Sequence, residues 1–382
     1  MQFSRKTAIK SVKGTVCFVR SGQGLMQGYD ITLANSGDRF RGQLQFHWNA
    51  HEHDETVLVA RGESTLRIWV PDIREAQEVE FRLICPDGVA TFSHCHKPMR
   101  HWTVHIVQFA HHDPGYTDLP SNVLREYCGF YDDILRFCTE TDHFPEESRF
   151  RYTIEQGWSL LHYLDCRPPE AREEMMRRIR EGRIEVNAFL GNQVTELQGP
   201  EEMVRMLYPV FELKRRYGIP VITAEHNDVP GISWGVAAAM AGSGIRYFAP
   251  ALPDYFRWGE KYHTFWDEDK IAPNDVPAVF FWEAPNGERV LFYYGRQGAG
   301  GQVDVTLRDL PSELERLEES DYPYDVFRYL VMGGWRDNSL PRVEFAHTCR
   351  DWNAKHAYPR LEQSLNSRFF PALEKQLPFP LG

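Results

Sequence analysis

Through the first hundred residues, apolar and polar positions alternate in short runs. TVCFV, LQFHW, TVLVA, STLRIWV and EVEFRLI each carry an apolar face at a period of two, the pattern of a half-buried strand. Turn chemistry separates them, as at Asn35-Ser36-Gly37 and Pro86-Asp87-Gly88. No helical period intervenes, so residues 1–100 are expected to form a small all-β sandwich that accompanies a second domain. From residue 101 the texture changes. TVHIVQFA, RFRYTI, RIEVNAFL, PVITAEHN, RYFAPA, AVFFWEA with RVLFYY, and VFRYLVMG are nearly continuous apolar runs. Amphipathic stretches lie between several of them, clearest in PEAREEMMRRIREG and PEEMVRMLYPVFELKRRYG, which start just after Pro and end at Gly as helices do. Strands apolar on both faces, alternating with helices, predict a parallel sheet covered on both sides. Roughly seven such strands predict an α/β fold in 101–382, a seven-stranded (β/α) barrel. The open sheet of dinucleotide binders fits less well, because no G-x-G-x-x-G follows the first strand.

Composition narrows the partners. A net charge of −11 argues against nucleic acid and anionic membrane, both of which need a basic face. No apolar run approaches the ~18 residues of a membrane span, and the basic start MQFSRKTAIKSVKG lacks the apolar core of a signal peptide. The seven cysteines include no C-x-x-C pair, which points to reduced thiols and a cytoplasmic location. Ten Trp, 17 Tyr and 24 Phe suit sugar rings as well as cores.

In a parallel barrel the strand C-termini carry the chemistry. The first strand runs into HHDPGYTD, where His111 and Asp113 share one side of an extended segment. Pro114-Gly115 then turns the chain. An imidazole and a carboxylate at one strand end are donors that Zn²⁺ prefers; the plainer alternative is a strand-end His and a turn-capping Asp. The fourth strand ends at Asp228, before Val229-Pro230-Gly231. Asp228 would complete a metal shell or attack an electrophilic carbon. Glu225 and His226 are further candidates, and alternation puts His226 with Asp228 and Glu225 with Asn227. Ser233 is better placed than Asp228 to cap SWGVAAAMAGSG. Asp337 follows Gly333-Gly334 after the last strand, where a carboxyl would serve as general acid; Asp-Asn is also ordinary turn chemistry. Trp282 and Glu283 precede an Asn286-Gly287 hairpin turn, as a sugar platform and hydroxyl partner or as simple packing. His47, His51 and His53 in HWNAHEHDE fit a solvated loop better than a chelating one.

These residues resemble the catalytic domain of glycoside hydrolase family 38, the zinc-dependent retaining α-mannosidases. The family's H-x-D-P-G-W segment is matched by His111, Asp113, Pro114, Gly115 and Tyr116. The resemblance implies that His111 and Asp113 ligate zinc and that Tyr116 is a sugar platform. Counting back from Ser243-Gly244-Ile245, it places the family's nucleophile, itself a zinc ligand, at Asp228. It places the general acid at Asp337, although the family often has two adjacent Asp where this chain has Asp337-Asn338. The family draws a further zinc His from a later segment. That implies a missing C-terminal region, a three-ligand site, or His226 as substitute; a homo-oligomer is a further way to complete it. The expected substrate is a carbohydrate. Two rivals stand beside this reading. One is a catalytically inactive carbohydrate-binding barrel. The other is a zinc-dependent polysaccharide deacetylase, whose paired-Asp strand end and H-x-x-x-H segment are lacking here.

Overall fold

The N-terminal alternation becomes an antiparallel sandwich because its apolar faces have each other to cover. The computed structural model describes residues 6–22, 24–48, 51–229, 232–250, 277–293, 302–320 and 322–378. Seven strands come first: β1 (Thr7–Ser21), β2 (Gly24–Asn35), β3 (Phe40–Trp48), β4 (His51–Val59), β5 (Gly62–Pro71), β6 (Gln77–Cys85) and β7 (Gly88–His96). They form two sheets, ordered β1-β2-β5 and β4-β3-β6-β7. In β6, Val79, Phe81 and Leu83 are buried while Glu80 and Arg82 face outward. They join Tyr29, Ile31, Leu44, Phe46 and Trp48 in one core. Two strands, β2 and β7, escape the alternation pattern. In β2 the buried positions include Gln27, whose side-chain amide donates to the Thr15 carbonyl at 3.0 Å. At the β3–β4 hairpin the His53 ring stacks on Phe46 at 4.7 Å, so that histidine is packed rather than held in a solvated loop.

The chain divides into two units, and the first extends beyond the sandwich: it comprises Met1–Thr103, Arg308–Asp325 and Trp352–Arg360. Arg100 fastens the second segment to the first, its guanidinium donating to the carbonyls of Leu317 at 2.7 Å and Tyr324 at 3.0 Å. Trp102 donates its indole N–H to Glu318 at 2.8 Å.

The second unit holds the strand–helix alternation. Its strands are β8 (Thr103–Gln108), β9 (Tyr152–Ile154), β10 (Ile184–Val186), β11 (Thr223–Ala224), β12 (Tyr247–Phe248), β13 (Val279–Glu283), β14 (Arg289–Tyr293), β15 (Val326–Val331) and β16 (Arg360–Ser364). The pairs β9–β10, β11–β12 and β12–β14 are parallel, and β13 is an antiparallel hairpin partner of β14. β15 is buried along its whole length, as a strand covered on both faces must be. The described residues do not show the expected seven-stranded barrel closed. Among the described residues the strands make separate sheets of two, four and three members, ordered β10-β9, β11-β12-β14-β13 and β15-β8-β16. The ladders are short, and polar side chains follow directly where two of the strands end. Glu155 directly after β9 and Glu225 directly after β11 are buried and bonded to other side chains. Single backbone bonds bridge some gaps, such as Ala188 N–H to the Thr223 carbonyl at 3.0 Å.

The helix at Pro169–Arg180 matches its sequence signals, with Glu170 in the first turn and three arginines in the last. The next predicted helix breaks in two, Pro200–Arg205 and Tyr208–Tyr217, at Pro209, which has no N–H to continue the ladder. Gly218 ends it at φ 63°. The helix after Asp228 is Gly235–Gly242 and has no side-chain cap; the Ser233 N–H and hydroxyl both turn to Thr195 instead.

Candidate active site

β8 delivers the chain to His111, which is 8% exposed. The imidazole is fixed by a carboxylate that the sequence pattern did not single out. His111 Nδ1 donates to Glu155 Oε1 at 2.9 Å, leaving Nε2 as the ring nitrogen turned to other work. Glu155 is wholly buried and gathers donors on both oxygens. Asn227 Nδ2 (2.6 Å) and Asn192 Nδ2 (3.2 Å) also reach Oε1. The His112 N–H (2.6 Å), His112 Nδ1 (3.1 Å) and Gln156 Nε2 (3.4 Å) reach Oε2. Burial by itself would raise this carboxyl, but the two histidines and their hydrogen bonds hold it far below the usual carboxylate range. Burial would likewise lower His111, yet Glu155 first, then Asp337 and Asp228, carry it up to about 9. His112 is set from the other side. Its Nε2 meets the Ser159 hydroxyl at 2.8 Å and its ring stacks on Tyr127 at 3.9 Å.

Asp113 and Asp337 are brought together by one side chain. The Asn338 Oδ1 accepts the Asp113 N–H at 3.0 Å, while its Nδ2 donates to the Asp113 carbonyl at 3.1 Å and the Thr117 hydroxyl at 2.7 Å. The Asn338 N–H also donates to the His111 carbonyl at 2.8 Å. Asn338 adopts φ 52°, a left-handed turn that asparagine tolerates better than most residues. Burial raises the Asp113 carboxyl, and repulsion from Asp337 and Asp228 raises it further. Three aspartates and an imidazole therefore share one electrostatic neighbourhood.

Asp228 reaches that neighbourhood by leaving the strand. Its φ is 52°, so the two-residue alternation fails there. His226 does not accompany it. That ring is 2% exposed, packs on Phe189 at 4.3 Å, and has no hydrogen-bond partner on either nitrogen among the described residues. Burial holds it neutral, down to about 4. Glu225 turns inward to Arg328 at 3.1 Å and Asn187 at 3.0 Å, and burial pushes it up to about 7. Pro230 and Gly231 of the expected turn lie outside the described residues.

Tyr116 sits on the Asp113 loop, almost fully exposed at 94%, as a platform requires. Trp282 instead packs into the apolar core, stacked on Phe248 at 6.0 Å and edge-on to Phe292 at 5.6 Å. Glu283 pairs with Arg289 across its hairpin at 2.7 Å. Electrostatic interactions link His111 and Asp113 with Asp228 and Asp337, whereas Trp282, Glu283 and His226 make the separate contacts described. The structure adds Glu155, Asn192, Asn227 and Asn338, which sequence reasoning passed over. Glu155 carried a usable signal: a carboxylate at the end of a strand, the criterion that selected Asp228.

The donor chemistry suits a divalent ion. A carboxylate behind His111 fixes its ring, as second ligand shells do, and the mutual repulsion of the three aspartates is what a dication relieves. Among the described residues, however, no three His, Cys, Asp or Glu side chains converge closely enough to hold a metal ion. His111, Asp113 and Asp228 are neighbours without forming the closed ligand set expected from sequence.

The strand ends of the second unit thus present a carboxylate-buttressed histidine and several aspartates. The model of the glycosyl hydrolases family 38 N-terminal domain matches residues 101–380, and the chain belongs to that family. Its fold is similar to that of an alpha-mannosidase from Enterococcus faecalis V583, at TM-score 0.54 and 17% identity over 72% of this chain and 30% of that one. A glycosyl hydrolase family 38 protein from Enterococcus faecalis gives TM-score 0.48 and 17% identity over 74% and 28% of the two chains. The chain therefore spans about 30% of the length of the first of these structures. No curated protein matches. No helix among the described residues is long and apolar enough to cross a membrane.

Proposed function

We propose that this chain is a zinc-dependent retaining glycoside hydrolase of the α-mannosidase type, acting on α-linked sugars. The observation that supports the reading is His111 held by the buried Glu155 carboxylate, with the charges of Asp228 and Asp337 acting on both His111 and Asp113. Asp228 is the nucleophile: exposed on its left-handed turn, it attacks the anomeric carbon and forms the glycosyl-enzyme. Asp337 protonates the departing oxygen and then takes a proton from the incoming water. Asn338 positions Asp337 against Asp113, and Glu155 orients His111. His111, Asp113 and Asp228 are the residues that would hold zinc, which when bound supplies Lewis-acid polarisation of sugar hydroxyls. Tyr116 offers its ring to the sugar. The incomplete convergence of ligands favours one second reading, a barrel that binds carbohydrate without hydrolysing it. Zinc content measured beside turnover of an aryl α-mannoside separates the two. Stoichiometric zinc with turnover supports the hydrolase; sugar binding with neither supports the binding protein.

A further inference from the structure

Trp48, Trp102 and Trp352 are each held by the indole N–H, donated to the Pro71 carbonyl, the Glu318 carboxylate and the Pro359 carbonyl at 2.9, 2.8 and 2.9 Å. Even Trp234, on the exposed side, gives its N–H to the Glu283 carbonyl at 2.6 Å. Trp335 differs: it is 83% exposed, on the loop that follows β15. The loop itself is firmly built. A β-carbon on Gly333 would collide with the Leu340 carbonyl, so the two ends of the segment 333–340 close on each other. Asn338 and Ser339 are buried within it. Asn338 fastens it to the loop after β8, through the Asp113 N–H at 3.0 Å and the Thr117 hydroxyl at 2.7 Å. Arg336 pairs with Glu126 of the helix Pro120–Glu140 at 3.5 Å. None of these contacts uses the indole, so its exposure does not come from a loose loop. Asp337 follows two residues after Trp335, a backbone reach of at most about 7 Å.

We propose that Trp335 is the platform for the departing sugar, the residue on the far side of the scissile bond from the ring that Asp228 attacks. The inference rests on the hydrolase reading, in which Asp337 gives its proton to the leaving oxygen. It adds to that reading the nature of the leaving group: a second sugar of a glycan, not a small alcohol. An indole face covers the C–H face of a pyranose and removes it from water, while the hydroxyls at the ring edge stay open to polar partners. Arg336, exposed on the same loop, is one such donor. Because Gly333, Asn338 and Arg336 hold the loop without the indole, the ring is placed before the sugar arrives and stacking orders little else. The charged neighbours Arg336 and Asp337 suit a hydroxyl-rich ligand better than the apolar centre of a contact between two copies of the chain, where charge is depleted.

The test compares wild type, Trp335→Ala and Trp335→Phe as full chains supplied with zinc. Calorimetric titration uses two probes that are not turned over, methyl α-mannoside with one sugar and α-linked thiomannobioses with two. Wild type should bind a thiomannobiose about tenfold more tightly than methyl α-mannoside. Trp335→Ala should lose that advantage and bind methyl α-mannoside as wild type does, while Trp335→Phe keeps most of it. In kinetics, Trp335→Ala should lower kcat/KM about tenfold on α-mannobioses and change it by less than about twofold on α-mannosyl fluoride, whose leaving group needs no platform. No turnover of the fluoride by wild type would defeat the hydrolase reading, and the titration would still decide the role of Trp335. Thiomannobioses bound no more tightly than methyl α-mannoside by wild type, or both probes affected alike by Trp335→Ala, would overturn the proposal. So would a changed sedimentation of Trp335→Ala with its sugar discrimination intact, which would assign the ring to a contact between copies of the chain.

Discussion

Glu155→Gln changes one atom at the centre of the site and tests whether the buried carboxylate organises it. The glutamine has nearly the same shape but no charge, and its amide nitrogen must replace an oxygen that accepts from two or more donors. Removing one partner of a buried ion pair costs about 3–5 kcal/mol. The shift on His111 supplies a second route to the size. Moving its pKa from the ordinary 6.5 to about 9 corresponds to on the order of 3 kcal/mol. The signs define a window. Glu155 is held low, so its contribution is present above the ordinary 4.5 and lost as pH falls below it. His111 is raised, so its contribution is full below 6.5 and lost as pH rises through about 9. In metal-free protein, urea unfolding near pH 6 should therefore show the variant about 3–5 kcal/mol less stable. Above pH 9 that gap should narrow by on the order of 3 kcal/mol. A variant within about 1 kcal/mol of wild type near pH 6, or a gap that does not change between the two pH values, would refute the reasoning.

Asp228→Ala should abolish turnover of every glycoside, because no glycosyl-enzyme can form. Asp337→Ala should spare nitrophenyl glycosides, whose leaving groups depart unprotonated, and lose natural ones; equal loss on both in steady-state kinetics removes Asp337 from the acid role. Asn338→Ala loses three side-chain hydrogen bonds and keeps a strained φ, so calorimetry should show a loss of about 2–3 kcal/mol. His105 is buried and held neutral, down to about 3, by that burial; its contribution is present above 6.5 and lost as pH falls toward 3. His105→Leu should therefore remove on the order of 4 kcal/mol of acid sensitivity between those values, read from unfolding curves.

Strand and helix patterning carried most of the architecture into view, and its misses have physical causes. β16, with the sequence RLEQS, is invisible to a hydrophobic pattern because Gln363 and Ser364 are among its buried residues. Asp113 and Asp337 were singled out from their places after predicted strand ends and from the family resemblance. His226 was misplaced relative to Asp228 because alternation presumes extended backbone, and Asp228 departs from it at φ 52°. Glu155 was passed over although it ends a strand as Asp228 does; its role as a hub is visible only in the fold, which brings it residues 111, 112, 192 and 227.

The central claim is that Asp228 is the nucleophile of a glycosidase. The direct measurement is intact-mass spectrometry of the zinc-supplied full chain after reaction with an activated 2-fluoro-α-mannosyl donor, which accumulates a glycosyl-enzyme when hydrolysis is slow. The account predicts one added sugar, mapped by peptide digestion to Asp228 and absent from Asp228→Ala. Aryl α-mannoside turnover without a covalent sugar on Asp228, or a sugar mapped to another carboxylate, would contradict it.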